Sequence, residues 1–349
     1  MPALVILDDK QLHKLASIVY RQEVEAIQNI KFQSEPELAK YLRDCKSGYD
    51  SVVSLVDTGS QLIHKWQDDK TMSPIAHDIF DYVVASANSA LQTVRNYTLR
   101  LNYLKKISDH SKTLMNALNE LDRTNVINVQ RLAKDAAIYR NAMLEYTRKH
   151  QSPVSRNFSK MLKDTGVKFQ DLMQRYQVKL NFEGPFSDLQ DEQKLQVHEE
   201  IIEASGRGRV IVNNLSKAFG FAGIAVLLFT AGMMVWDIFS SEHVLQRTTR
   251  DAVVTAASVG GAMLGEVIGV AIPTLVGLEA TPLFIIVSGI VTSIVGAYIL
   301  GEFAGWLIDL IFGSGGTATL STDGHRCYVA SMPDGEALAR QIAHQDNQE

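Results

Sequence analysis

The chain has 349 residues, a formal net charge of −5 and two cysteines. That length buries a core in one large domain or two ordinary ones, and without a run of lysine or arginine there is no basic patch for nucleic acid. Cys45 and Cys327 match no metal-ligand or redox spacing, which leaves a single disulfide between them open.

The first nine residues hold an apolar run too short for a leader, with no basic residue before it, so a chain without a secretory signal is expected. Asp8 or Asp9 can cap a first helix to about residue 31, with Leu12, Leu15, Val19, Ile27 and Ile30 inward. Ser34-Glu35-Pro36-Glu37 reads as a capping box before a second helix to about residue 67, with Gly48 or Gly59 as points of interruption. The 78 residues between Pro74 and Pro153 contain neither glycine nor proline, so long helices are expected there. Ser73 as cap and Pro74 at the first helical position open a helix that, unbroken to residue 122, would be about 70 Å long. Asp122-Arg123-Thr124-Asn125 is the expected turn into a helix over 126–150. A helix over 154–177, a break at Glu183-Gly184-Pro185 and a helix from Ser187-Asp188-Leu189-Gln190 to about residue 204 complete an expected bundle over residues 1–209.

The character then changes. From 251 to 325 there is no lysine or arginine and there are thirteen glycines. Three windows, 218–236, 252–277 and 283–312, are apolar nearly all round and each is long enough to cross a bilayer. Two prolines, Pro273 and Pro282, bound a short segment that reads as a helical hairpin turn. Small residues recur every four positions on both sides of it: Ala257, Gly261, Gly265 and Gly269, then Gly289, Ser293, Ala297, Gly301 and Gly305. Such ridges let helix backbones approach closely and associate in lipid; tight packing in a permanently soluble core is the alternative. Among the acids Asp237, Glu266, Glu279, Glu302 and Asp309, a carboxylate at mid-bilayer would cost about 2.5–3.5 kcal/mol, so each must pair, face water or be protonated. Glu266 and Glu302, set among glycines, are the candidates for a pH trigger or a pore lining, with placement at helix ends as the plainer reading. Trp236, Tyr298, Trp306 and Phe312 fit an interfacial belt or ordinary helix packing equally well. The tail offers strands over 317–322 and 325–330 around Asp323-Gly324, then a helix over 334–344.

Enzyme signals are absent: the nine histidines form no metal pair, there is no nucleophile elbow or phosphate loop, and Asp68/Asp69 and Glu199/Glu200 read as solvated helix-end charges. No catalytic residue, cofactor or metal is expected. The fold class is all-α: an elongated bundle of long helices (1–209), a hydrophobic region with a helical insertion hairpin (210–313), and a small C-terminal β-hairpin with a short helix (314–349).

This layout of long helices with an apolar head, over about residues 8–313, resembles the α-helical pore-forming toxins of the cytolysin A and haemolysin BL type, including insecticidal relatives. In that family a long helix returns after the head, whereas about 36 residues follow Gly313 here, a segment order closer to the colicin pore domain. The resemblance implies a protein that is soluble first, then binds a target-cell membrane, with or without a receptor, inserts its hairpin and forms a homo-oligomeric pore. It carries over no site residues. The rival readings are a constitutive three-span membrane protein with a helical cytosolic scaffold, and a soluble helical interaction module.

Overall fold

Asp8 caps the first helix. Its carboxylate accepts from Gln11 N at 2.9 Å while Gln11 Oε1 accepts from Asp8 N at 3.1 Å, a reciprocal box that opens α1 (Asp9–Glu25). The computed structural model describes residues 4–29, 35–94, 97–147, 153–167, 169–207, 221–240, 319–322, 325–328 and 333–346. After a 3-10 turn (Ala26–Asn29) come α2 (Glu35–Trp66), α3 (Met72–Thr93), α4 (Tyr97–Asn119), α5 (Val126–Thr147), α6 (Pro153–Asp164) and α7 (Phe169–Lys179). A second 3-10 turn (Phe186–Asp188) leads to α8 (Asp191–Ala204) and α9 (Phe221–Ser240), and α10 (Gly335–Asp346) is the last element described. The described residues are thus predominantly helical.

α3 is the axis of the body. Helices α1, α2, α4, α5 and α10 all pack against it, and every residue from Ala85 to Thr93 is buried. A helix surrounded on all sides is ordinarily apolar, but this stretch reads Ala-Ser-Ala-Asn-Ser-Ala-Leu-Gln-Thr, small and neutral, so neighbouring helices come close. Most of its polar side chains, those of Ser86, Asn88, Gln92 and Thr93, are satisfied locally or by residues 5–7. Ser86 and Thr93 hydroxyls donate to the carbonyls four residues back. Asn88 Oδ1 accepts from Leu7 N at 3.0 Å and its Nδ2 donates to Leu7 O at 2.9 Å; Gln92 does the same for Val5 N and O at 3.3 and 2.7 Å. Two amide side chains, one helical turn apart, stand in for a partner strand, pairing alternate residues of the extended segment before α1.

Several expectations are corrected. The single 70 Å helix is two: α3 ends at Thr93, Val94 turns extended (φ −103°, ψ 95°), and α4 folds back onto α3. The freed Val94 carbonyl accepts from Arg100 Nη1 at 3.0 Å, which removes the cost of breaking a helix inside the protein. α3 also starts earlier than Ser73: Asp69 Oδ1 accepts from Thr71 N and Met72 N at 2.9 Å each, so Asp69 caps it and Pro74 falls in the first turn. The helix expected over 154–177 divides at Gly166 (φ +64°), where Gly166 N donates to Lys163 O and Val167 N to Leu162 O, a left-handed C-terminal stop. Neither Gly48 nor Gly59 interrupts α2, which runs 32 residues, about 48 Å. α8 starts after Gln190 rather than Ser187, with Gln190 N donating to Gln193 Oε1 at 3.0 Å.

Two four-residue strands, Thr319–Thr322 and His325–Tyr328, are antiparallel with Leu320 opposite Cys327. The Asp323-Gly324 turn expected to join them, the rest of the expected strands, and the whole of 241–318 lie outside the described residues.

Candidate functional site

All of the residues singled out for membrane insertion (Ala257, Gly261, Gly265, Gly269, Gly289, Ser293, Ala297, Gly301 and Gly305), and the acids Glu266 and Glu302, lie outside the described residues. What is described is the body on either side of them: α9 before the apolar stretch and α10 after it. Among the described residues, no helix is long and apolar enough to cross a membrane.

α9 covers most of the first apolar window, and the body encloses it. It packs against α4, α5, α6 and α8, and Val226, Leu227, Leu228, Phe229, Thr230 and Ala231 are buried in succession, so no polar face is turned outward over this span. Such a sequence reads as a bilayer span or as a central core helix, and here it is the second. The domain boundary expected at 209/210 therefore separates α9 from helices that it packs against.

Polar contacts fix the register of this greasy helix. Thr230 Oγ1 donates to Val226 O at 2.8 Å, so the 3.1 Å bond it shares with Tyr103 Oη has the phenol as donor. Burial raises the Tyr103 phenol to about 12, keeping it a neutral donor. The Tyr103 ring also packs on Phe229, with centroids 4.4 Å apart. Towards the C-terminal end, Ser159 Oγ of α6 donates to Ile238 O at 2.6 Å.

Under the N-terminal turn of α9 lies a cluster of three rings from three helices: Tyr82 (α3), His110 (α4) and Tyr139 (α5). His110 and Tyr139 centroids are 4.0 Å apart, and His110 Nδ1 and Tyr82 Oη share a hydrogen bond of 3.0 Å. Gly223 closes the cluster. A Cβ there would sit 2.0 Å from Tyr139 Oη and 2.9 Å from His110 Nε2, so the α9 backbone itself is the lid over both polar tips. Burial lowers the His110 pKa to about 4, and the imidazole is neutral at pH 7. On α8, which packs along α9, His198 is 0 % exposed, and neither ring nitrogen has a hydrogen-bond partner among the described residues. Burial first, and the Lys194 charge second, lower its pKa to about 3.

A second buried polar centre joins α1, α2 and α4. Glu23 is 1 % and Arg100 4 % exposed; Arg100 Nη2 donates to Glu23 Oε1, and Tyr41 Oη donates to the Glu23 carbonyl at 2.8 Å. Burial pushes the Glu23 carboxyl up, and the Arg100 charge opposes it. The Cys45 thiol lies in the same centre, its pKa raised chiefly by burial. As for the paired carboxylates, Asp69 caps α3 and bonds Arg123 at 2.8 Å, Glu200 bonds Lys179 at 2.8 Å, and Glu199 is buried rather than solvated.

α10 is seated on α1 and α3. Asp334 caps it through Ala337 N at 3.1 Å, Ala339 and Ile342 enter the core, and Lys14 Nζ donates to Gln345 Oε1 at 3.2 Å. Its first residue touches α3 directly: a Cβ on Gly335 would fall 1.9 Å from Leu91 O.

Sequence reasoning weighed Cys45 and the paired carboxylates Asp69, Glu199 and Glu200, but it did not single out Glu23, Arg100, Tyr103, His110, Tyr139 or His198. The signal open to it was the run 83–94, twelve residues without a charge and rich in Ser, Asn, Gln and Thr, which marks a helix buried on every side. Compared with protein-family models, with characterised proteins and with solved structures, the chain matches none.

Proposed function

We propose that this is a membrane-inserting, pore-forming protein whose helical body carries the apolar region 252–312 to a target membrane as a two-pass hairpin. What supports the reading is the placement of the flanking helices. α9 and α10, which precede and follow that region in the chain, are both docked on one helical body. A segment tethered at both ends to one body crosses a bilayer an even number of times, and the sequence supplies two windows, 252–277 and 283–312, joined at a proline-bounded turn. The small-residue ridges of Ala257 to Gly269 and Gly289 to Gly305 are the contact faces between the two passes and between copies in a homo-oligomer. The strands Thr319–Thr322 and His325–Tyr328 are read as a β-hairpin between the insertion region and α10.

The test is dye release from liposomes by protein purified without detergent, across pH 5 to 10. Release is the expected result. Detergent-free protein that leaks no dye from vesicles, with or without target-cell lipids and extracted membrane proteins, would favour an interaction module. Protein recovered only in membranes would favour a constitutive membrane protein. With Glu266 and Glu302 in the passes, Glu266→Gln/Glu302→Gln is expected to flatten the pH profile of release, because a neutral amide needs no protonation before burial. An unchanged profile removes these two acids from the mechanism.

A further inference from the structure

We infer that His110 and His198 form an acid-sensitive lock on α9, releasing it from the body as the pH falls below about 6. The use of such a lock rests on the membrane-inserting function proposed above; its existence does not.

The geometry of His110 makes the case. A neutral imidazole has one donor and one acceptor, whereas a charged one has two donors and a full charge to solvate. On its Nδ1 side His110 meets Tyr82 Oη; on its Nε2 side it meets the α9 backbone at Gly223, beside Tyr139 Oη. Among the described residues, the titratable groups that face it are therefore Tyr82 from α3 and Tyr139 from α5, both held neutral by burial. The described side chains of α9 contribute no ionisable group, and neither the charges of α2, which also packs on α4 (Asp50, Asp57 and Lys65 among them), nor those elsewhere on α3 and α5 (Asp78, Asp81, Asp135 and Arg140) act on it: burial lowers its pKa. Water can reach a charged His110 if the backbone at Gly223 lifts.

His198 makes the same demand from α8. Its ring packs on Phe186 of the second 3-10 turn, with centroids 5.6 Å apart, and has no hydrogen-bond partner among the described residues. From its own helix the charge acting on it is Lys194, of the wrong sign to stabilise an imidazolium. The elements packed against α8 bring Asp171, Arg175 and Lys179 of α7 and Asp188 of the 3-10 turn, of which Lys179 is tied to Glu200. None of these offers His198 a counter-charge. Two histidines, on two of the helices packed on α9, thus stay neutral below the ordinary imidazole range only while the body is closed.

The sign follows from linkage. Both imidazoles have folded-state pKa values below the ordinary 6.5, near 4 and 3, so the open state binds more protons in the window between. Stability contributed by the neutral rings is complete above about pH 6.5 and falls as the pH drops towards those values. At pH 4.5 each ring shifts the closed-to-open equilibrium by about a hundredfold towards open.

The experiment uses the full chain. Near-UV circular dichroism and dye binding to exposed apolar surface are followed from pH 8 to 3, with liposome leakage measured in parallel. The wild type is expected to lose fixed tertiary signal and expose apolar surface in one transition between pH 6 and 4, and His110→Gln and His198→Gln are each expected to move its midpoint down by about half a unit or more. Carbon-13 labelling of the histidine Cε1 positions provides a readout that needs no variant: two of the nine imidazoles stay neutral below pH 6 and charge only as the transition occurs. Unchanged midpoints in folded variants, or nine rings titrating near 6.5 with the body intact, would overturn the lock. A transition that moves as described without leakage would leave the lock standing and count against the pore.

Discussion

Replacing Arg100 with methionine is expected to cost about 3–5 kcal/mol of stability at neutral pH, measured by urea unfolding, the range typical of stranding one member of a buried ion pair. The guanidinium serves two strained places at once. It neutralises Glu23, which burial would otherwise force towards protonation, and it fills the hydrogen-bonding vacancy at the Val94 carbonyl where the α3–α4 turn interrupts helix geometry. The double variant Glu23→Met/Arg100→Met is expected to recover most of the loss, since the cost of burying an unpaired carboxylate vanishes when both partners are removed, and to retain a residual of about 1 kcal/mol from the unpaired Val94 oxygen. pH separates the two components. A carboxyl whose folded pKa is raised contributes stability at low pH that is lost as pH rises through that pKa, and removing Arg100 raises it further. The penalty of Arg100→Met relative to wild type should therefore shrink as the pH is lowered, while the double variant shows no such slope. A single variant with an undiminished penalty at low pH would mean that Arg100 acts through packing and the Val94 bond, not through Glu23.

The same pair explains where sequence reading stopped. Helix positions follow from periodicity and caps, and Asp8, the Asp122–Asn125 turn and the break before Pro185 were all legible because their causes lie within a few residues. The break at Val94 was not. Apart from the lone Asn96, nothing at residues 93–97 resembles a stop signal, and what makes the turn tolerable is Arg100 reaching back to Val94 while bonding Glu23, 77 positions earlier. The chain start is similar: Val5 and Leu7 look like the beginning of an apolar run, and only Asn88 and Gln92, more than 80 residues on, show that it is a paired extended segment. α9 marks a different limit. Composition states that residues 221–240 avoid water, and it does not say whether lipid or protein takes its place; that depends on Gly223, Thr230 and Ile238 meeting His110, Tyr103 and Ser159 across distant helices. The ridges and acids of 252–312 rest on sequence pattern alone.

Gly335→Ala is expected to unseat α10, and the reason is that its obstacle is backbone. A methyl group at this position would lie 1.9 Å from Leu91 O, 2.8 Å from Leu91 C and 3.1 Å from Gln92 Cα, atoms of a helical turn with no rotamer to change. α3 is held there, because Gln92 is bonded to Val5 and Asn88 to Leu7. The mobile partner is α10, held by Ala339, Ile342 and the Lys14–Gln345 bond. The expected cost is about 1–3 kcal/mol, concentrated in α10 as local opening and not spread over the body. Limited proteolysis should then remove the C-terminal peptide about tenfold to a hundredfold faster than in wild type, with the urea midpoint of the remaining body shifted less than the local cost implies. Gly48→Ala is the control, since Gly48 is buried but a Cβ there meets nothing within 4 Å, and helix propensity makes the change neutral or stabilising by up to about 1 kcal/mol. The functional consequence separates two ways of holding the apolar region back. If α10 is the latch on its downstream end, Gly335→Ala should speed dye release at every pH while leaving the acid midpoint of α9 opening unchanged, because the histidines lie on other helices. Release at the wild-type rate from protein whose α10 is already cleaved would assign the restraint to the α9 end alone.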